Sequence, residues 1–170
     1  MGGNDEADRL KSLHGYGLLD TPNEPEFDAI VREAARDMGA PVALISLVDE
    51  HRQWFKAKVG LAPHEMPRSI SFCTHAIRGP DVMVVEDATA DDRFATNPLV
   101  TGDPNIRFYA GAPLKTADGK RIGTLCVIDT AARRTPTDAD KARLEALAAR
   151  TVAAFERRSQ RLKQSPSAGI

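Results

Sequence analysis

Pro41–Leu61 reads PVALISLVDEHRQWFKAKVGL, and its pattern decides the fold class. Val42–Val48 is rich in β-branched and long aliphatic residues, broken only by Ser46, as a strand buried on both faces is. Asp49-Glu50-His51-Arg52 is a polar turn, and Gln53–Val59 (QWFKAKV) returns as the second strand of a hairpin. A tight hairpin makes the pair antiparallel. The same signal recurs downstream, where Arg107–Leu114 (RFYAGAPL) and Arg121–Asp129 (RIGTLCVID) flank a turn containing Asp118-Gly119. A short strand is expected at Val82–Val85. Strands joined by turns rather than by helical crossovers exclude a βαβ nucleotide fold and predict an α+β domain with an antiparallel sheet.

Helices are expected around these strands. Asn4 or Asp5 caps a short helix through Leu13, with Ala7, Leu10 and Leu13 on one side, and Gly15 and Gly17 break it. Thr21-Pro22-Asn23 offers caps for a second helix. Its apolar residues Phe27, Ile30, Val31, Ala34, Ala35 and Met38 keep helical spacing until Gly39 and Pro41 stop it. Pro63–Pro67 reads as loop, and Ser69 or Ser71 caps a short helix over Phe72–Ile77 that ends at Gly79-Pro80. Ala88–Ile106 reads as a long loop or lid, rich in Asp, Thr, Asn, Pro and Gly. A long helix is expected from Thr137 to Lys163, with Leu144, Leu147, Ala148, Thr151, Val152, Phe155 and Leu162 as its apolar stripe. The organisation is an N-terminal helix (1–14), a core (15–136), the C-terminal helix (137–163) and a disordered tail (164–170, frayed from Ser165 to Ile170).

The 170 residues suffice for one domain. With 42% apolar and 28% charged residues and a net charge of −1, neither a disordered chain nor a strongly basic nucleic-acid binder is expected. The sum hides a gradient. Residues 1–50 carry 4 basic and 11 acidic side chains, residues 51–132 carry 10 and 9, and residues 133–170 carry 9 and 4. Either two solvated helices have opposite sign, or the acidic N-terminal part and the basic C-terminal helix face each other within or between subunits. Arg157–Lys163 holds no aromatic side chain for base stacking, which weighs against nucleic acid as a partner. The apolar run Pro41–Val48 is too short to span a bilayer, and Met1–Lys11 is too polar for a secretory signal, so a cytoplasmic protein with no membrane partner is expected.

Phosphate-loop, zinc-protease, EF-hand and nucleophile-elbow motifs are missing, and Gly15-Tyr16-Gly17 follows no strand, so it gives no support for a dinucleotide site. Cys73 and His75 lie two residues apart, about 200° around a regular helix, which does not suit one metal ion; no metal site is expected. Cys73 reads either as a small buried apolar residue or as a reactive thiol near a helix N-terminus, and mid-strand Cys126 as core. His75 reads as a structural histidine before a ligand or base. Arg68, Arg93 and Arg107 either pair with Asp87, Asp91 or Asp103 or point into a cavity to hold an anion. Six of the nine aromatics, Trp54, Phe55, Phe72, Phe94, Phe108 and Tyr109, fall mid-chain, as core packing and a ring-lined pocket would both require.

From about Arg9 to Arg158 the sequence resembles a GAF domain of the type found beside bacterial sensor histidine kinases and diguanylate cyclases. The blocks that carry it are GLLDTPNEPEFD (Gly17–Asp28), Pro41–Leu61, PRSISFCTHAI (Pro67–Ile77), VEDATADDRFATNPLVTG (Val85–Gly102), RFYAGAPL and IGTLCVID (Ile122–Asp129). The resemblance implies six antiparallel strands, helices on one face and a small-molecule pocket on the other. It places Phe72, Cys73, His75, Arg93, Phe94, Asn97, Phe108 and Tyr109 nearest that pocket. It further implies a homodimer formed through the terminal helices, passing a signal to a histidine kinase or diguanylate cyclase output. With no output domain after the last helix, the chain is expected to act in trans or as a piece of a larger protein.

The departures bear on the ligand, which the sequence leaves unidentified, with no cofactor named. The Asn-Lys…Phe…Asp-Glu pattern of cyclic-nucleotide binders is missing. Bilin binders carry Cys followed directly by His, where this chain has Cys73-Thr74-His75, and methionine sulfoxide reductases of this fold use several cysteines, where this chain has two. The function expected is a non-enzymatic sensor of a small molecule or of redox state. The alternatives are a thiol-dependent reductase, with Cys73 as nucleophile and Cys126 as resolving residue, and a domain that only dimerises. The reductase requires both sulfurs on one face of the sheet.

Overall fold

The computed structural model describes residues 2–164. Helices α1 (Gly2–Gly15) and α2 (Pro25–Met38) precede strands β1 (Val42–Val48), β2 (Arg52–Val59) and β3 (Glu65–Pro67). The short helix α3 (Phe72–Ala76), β4 (Met83–Val85) and α4 (Pro98–Thr101) follow, then β5 (Phe108–Lys115), β6 (Arg121–Asp129) and the long α5 (Asp138–Gln164). All six strands are antiparallel, in the order β3-β2-β1-β6-β5-β4.

Several expectations change. Glu65–Pro67 is an edge strand paired with β2, where a loop is expected; Pro67 fits because an edge strand leaves one side of its backbone unpaired. Ala88–Ile106 is folded rather than an open loop. Asp87 caps a 3₁₀ turn over Ala88–Ala90 and Asn97 caps α4, each side chain accepting a backbone N–H, and Phe94, Leu99, Val100 and Ile106 are buried. On α5, Leu162 leaves the apolar stripe and is 57% exposed, while Ala154 and Ser159 join the buried face. Gln164 is helical, and the tail expected at 165–170 lies outside the described residues.

Each face of the sheet has its own apolar core. Against one face pack α2 and α5, with Phe27, Ile30 and Val31 meeting Leu144, Leu147 and Phe155. Trp54, the single tryptophan, points to this side. Gly39 ends α2 in the left-handed region, φ 58°, as its position predicts. The helix begins not at Thr21–Asn23 but after Glu24, whose side chain makes no cap bond because it is engaged elsewhere. It accepts from Lys56 Nζ at 2.6 Å and from Arg158 Nε at 2.8 Å.

Lys56 is fully buried. The β1–β2 register steps from Ser46↔Phe55 to Ile45↔Ala57, so Lys56 is the extra residue of a β-bulge. Its Nζ lies 5.7 Å from the Phe27 ring centroid and also donates to Thr21 Oγ1 and the Pro22 carbonyl, each at 2.7 Å. The charge gradient resolves within the chain, since α5 meets α2 and the turn before it through Arg150–Glu33 (2.9 Å), Arg157–Glu26 (2.5 Å) and Arg158–Glu24 (2.8 Å).

Candidate functional site

The second face of the sheet carries α3, α4 and the turns around them. Strand alternation aims Leu44, Ser46 and Val48 of β1, Tyr109 and Gly111 of β5, and Thr124, Cys126 and Ile128 of β6 at this side. Gly111 is required where it stands. A Cβ there would lie 2.3 Å from the Tyr109 hydroxyl, so the absent side chain lets the ring lie flat and its hydroxyl reach Cys73.

Ser71 caps α3 by accepting from Thr74 N at 3.2 Å, and its hydroxyl donates to Gln53 Oε1 at 2.5 Å, fastening the helix start to β2. The next turn buries Cys73 over β6. Its sulfur accepts from the Tyr109 hydroxyl at 3.2 Å and lies 3.0 Å from Thr124 Oγ1. Ser46, paired across the ladder with Thr124, is fully buried and its Oγ has no hydrogen-bond partner.

Above this polar group sits an aromatic plug. Phe72 and Phe94 stack with centroids 4.0 Å apart and planes 5° from parallel, and Phe72 leans on Tyr109 at 5.4 Å. His75 meets Phe94 edge-on at 4.9 Å, and the Arg93 guanidinium lies 5.0 Å from the same ring. Beside Phe72 is a mostly apolar cavity bordered by Val42, Leu44, Phe55, Leu99, Ile106 and Tyr109, with Gln53 and Cys73 among its polar members. It measures about 30 Å³, room for water-sized molecules only. Outside α3, an open cleft of about 570 Å³ runs between Glu50, His51, Arg68 and Ser69 on one side and Thr74, His75 and Arg78 on the other.

Of the eight residues expected near a pocket, Phe72, Cys73, Phe94 and Tyr109 meet in the core of this site. His75 and Arg93 flank the plug from outside. Asn97 anchors it, donating from Nδ2 to the Ile70 carbonyl at 3.1 Å. Phe108 is a correction. It belongs to the opposite face, packed with the α2 and α5 side under the Arg133 guanidinium at 5.4 Å, because neighbours on a strand point to opposite sides. None of the three arginines enters the cavity. Arg93 pairs with Asp91 (2.7 Å), Arg68 with Glu6 (2.6 Å), and Arg107 donates to the Val100 and Ile106 carbonyls. The sequence reading missed Ser46, Gln53, Ser71 and Thr124 as members of the site. The signal for two of them was there, since Ser46 breaks an apolar run and Thr124 shares the face of Cys126 two residues on.

The GAF domain family matches residues 23–155. The chain belongs to that family. This GAF domain is 47% identical over 141 residues to a cyclic di-GMP phosphodiesterase of Pseudomonas aeruginosa, a match covering 83% of this chain and 24% of the relative. It therefore spans about a quarter of that relative's length. In structure it is similar to the GAF domain of a phosphoenolpyruvate-protein phosphotransferase from Acinetobacter (TM-score 0.66, 22% identity, 91% of this chain and 94% of the other). It is also similar to a free methionine-R-sulfoxide reductase from Neisseria meningitidis in complex with its substrate (TM-score 0.60, 20% identity, 82% and 78%). At these identities the structural likenesses show the fold.

The electrostatics of this GAF domain centre on its two thiols, which share one face of the sheet. Burial opposes ionisation of Cys73, but the neighbouring Cys126 thiol and the Thr124 and Tyr109 hydroxyls bonded to its sulfur outweigh it and lower the group below an ordinary thiol. Hydrogen bonding to Cys73, then burial, pushes Cys126 up, so Cys73 ionises first. Burial, then the Cys73 charge, raises the Tyr109 hydroxyl and keeps it a donor. Burial, then Arg78 and Arg93, lowers His75, so its imidazole is neutral at pH 7. Among the described residues no group of three or more His, Cys, Asp or Glu could hold a metal, and no helix is long and apolar enough to cross a membrane.

Proposed function

We propose that this GAF domain is a non-enzymatic sensor module of a signalling protein, with its input at the plugged cavity and its output through α5. The observation that carries the reading is the division of labour across one sheet. The cavity, the plug and the Cys73 thiol occupy one face, and α5 with its ion pairs to α2 occupies the other. A ligand enters by displacing the Phe72–Phe94 stack, so it selects a conformation with α3 and the 88–106 segment lifted. It shifts the population by its difference in affinity for the lifted and closed forms.

The relay runs through a homodimer joined by the terminal helices, where Leu162 near the end of α5 offers an exposed apolar side chain. The effector is a signalling output such as a histidine kinase or an enzyme of cyclic di-GMP turnover, joined to this domain or acting in trans; the cytoplasm is the setting proposed. The similarity to a cyclic di-GMP phosphodiesterase supports the second kind of output.

Thiol-dependent reduction by Cys73 and Cys126 is the second reading, favoured by their shared face. Burial of both thiols and the size of the cavity weigh against turnover of a substrate.

The test is native mass spectrometry of the protein purified from its host, with light scattering on the same sample. A dimer that releases a small molecule on denaturation is the expected result. A monomer at high micromolar concentration overturns the relay. A dimer that releases nothing, and that no host metabolite fraction stabilises against heat, supports the dimerisation-only reading instead.

A further inference from the structure

The pairing of two thiols with a cavity that admits only water-sized molecules is not explained by ligand binding. Cys73 is 2% exposed and Cys126 is fully buried, and both belong to one apolar cluster. Thr124 and Cys126 are alternate residues of β6 on one face, and the Cys73 sulfur lies 3.0 Å from Thr124 Oγ1. On β5, Gly111 pairs with Cys126 and lies under the Tyr109 hydroxyl that reaches the Cys73 sulfur, so both cysteines border the same small polar group.

We propose that Cys73 and Cys126 form a peroxide-reactive pair, in which hydrogen peroxide entering the cavity is reduced and a disulfide pins α3 to β6. The Cys73 thiolate attacks one oxygen of the peroxide; the S–O bond forms as the O–O bond breaks, leaving a sulfenic acid and a hydroxide that takes a proton to become water. Cys126 then attacks the Cys73 sulfur. The S–S bond forms, and the sulfenic oxygen leaves as a second water with the proton of the Cys126 thiol. Two thiols and one peroxide thus give one disulfide and two waters. The Tyr109 and Thr124 hydroxyls stabilise the thiolate, and the cavity excludes bulkier oxidants. The disulfide locks the plug that a ligand would have to lift. The signalling consequence rests on the sensor reading; the chemistry does not.

The experiment treats the reduced 170-residue chain with hydrogen peroxide and reads intact mass and cysteine-peptide masses, with and without the sulfenic-acid trap dimedone. The expected result is a loss of about 2 Da with a Cys73–Cys126 cross-link, and for Cys126→Ser a dimedone adduct on Cys73. Folded wild-type chain should react roughly tenfold or more faster with hydrogen peroxide than with tert-butyl hydroperoxide, a preference lost in urea. The proposal is overturned if both thiols stay free to alkylation, if the adduct falls on Cys126 instead, or if folded and unfolded chains show the same preference. A cross-link that forms without altering exchange of the α5 amides sinks the sensor reading and leaves the chemistry standing.

Discussion

Tyr109 holds its place through an absence. Its ring occupies the space that a side chain at Gly111 would fill, and its hydroxyl ends on the Cys73 sulfur. Gly111→Ala therefore drives a methyl into a fully buried ring. We expect a loss of about 1–3 kcal/mol from overpacking, measured by urea denaturation. Tyr109→Phe keeps the ring and removes one donor, and should lose only about 1 kcal/mol. Equal losses would mean that the ring's packing does not depend on Gly111. At this scale the sequence told which residues are special but not always where they face. Phe108 and Tyr109 are adjacent, so strand alternation alone forbids both from lining one pocket; assigning both from the block RFYAGAPL ignored that rule. Lys56 was illegible for a different reason. The bulge that turns it inward is set by pairing with β1, and no local signal marks it.

Among the elements, α1 is held to the sheet by charge. Arg9 is 7% exposed and donates to the Val48 carbonyl at 2.7 Å, while Glu6 accepts from both Arg9 and Arg68. Hydrogen bonding from Arg9, against a smaller desolvation effect and aided by Arg68, lowers the Glu6 carboxyl from 4.5 to about 2. The folded value is the depressed one, so the tether is fully present above pH 4.5 and is lost as pH falls towards 2. Nuclear magnetic resonance of the α1 amides should show this helix loosening in that window. Glu6→Gln should loosen it already at pH 7, which separates the tether from other carboxylates that titrate in the same range. The elements themselves were largely readable. The two hairpins, the spacing of α2 and its stop at Gly39 follow from residue patterns of five or more positions. What escaped was short, since a three-residue edge strand and a four-residue helix carry too few positions to show a period.

Over the whole molecule, one buried charge ties the sheet to both ends of the chain. Glu24 joins Lys56 of β2 to Arg158 of α5, and Arg158 also donates to the Tyr16 and Gly17 carbonyls. Removing the carboxylate leaves a buried ammonium with only neutral acceptors, Thr21 Oγ1 and the Pro22 carbonyl among them. Glu24→Gln should cost about 3–5 kcal/mol, whereas Lys56→Met, which leaves Glu24 bonded to Arg158, should cost clearly less. Thermal or urea unfolding of the two variants decides this, and a costlier Lys56→Met would reverse the account. The acidic first third and the basic last third of the sequence foretold this contact as one of two options; the ion pairs between α2 and α5 show that it forms inside the chain.

The single tryptophan gives that two-sided arrangement an optical consequence. Trp54 is buried among the α2 and α5 contacts, with the sheet between it and Cys73. The indole itself does not border the cavity, although its chain neighbours Gln53 and Phe55 do, so its emission reports on the opposite core. A change in colour or lifetime on adding ligand or oxidant would mean that the disturbance has crossed the sheet, so the protein carries its own fluorescent readout on the face covered by α2 and α5.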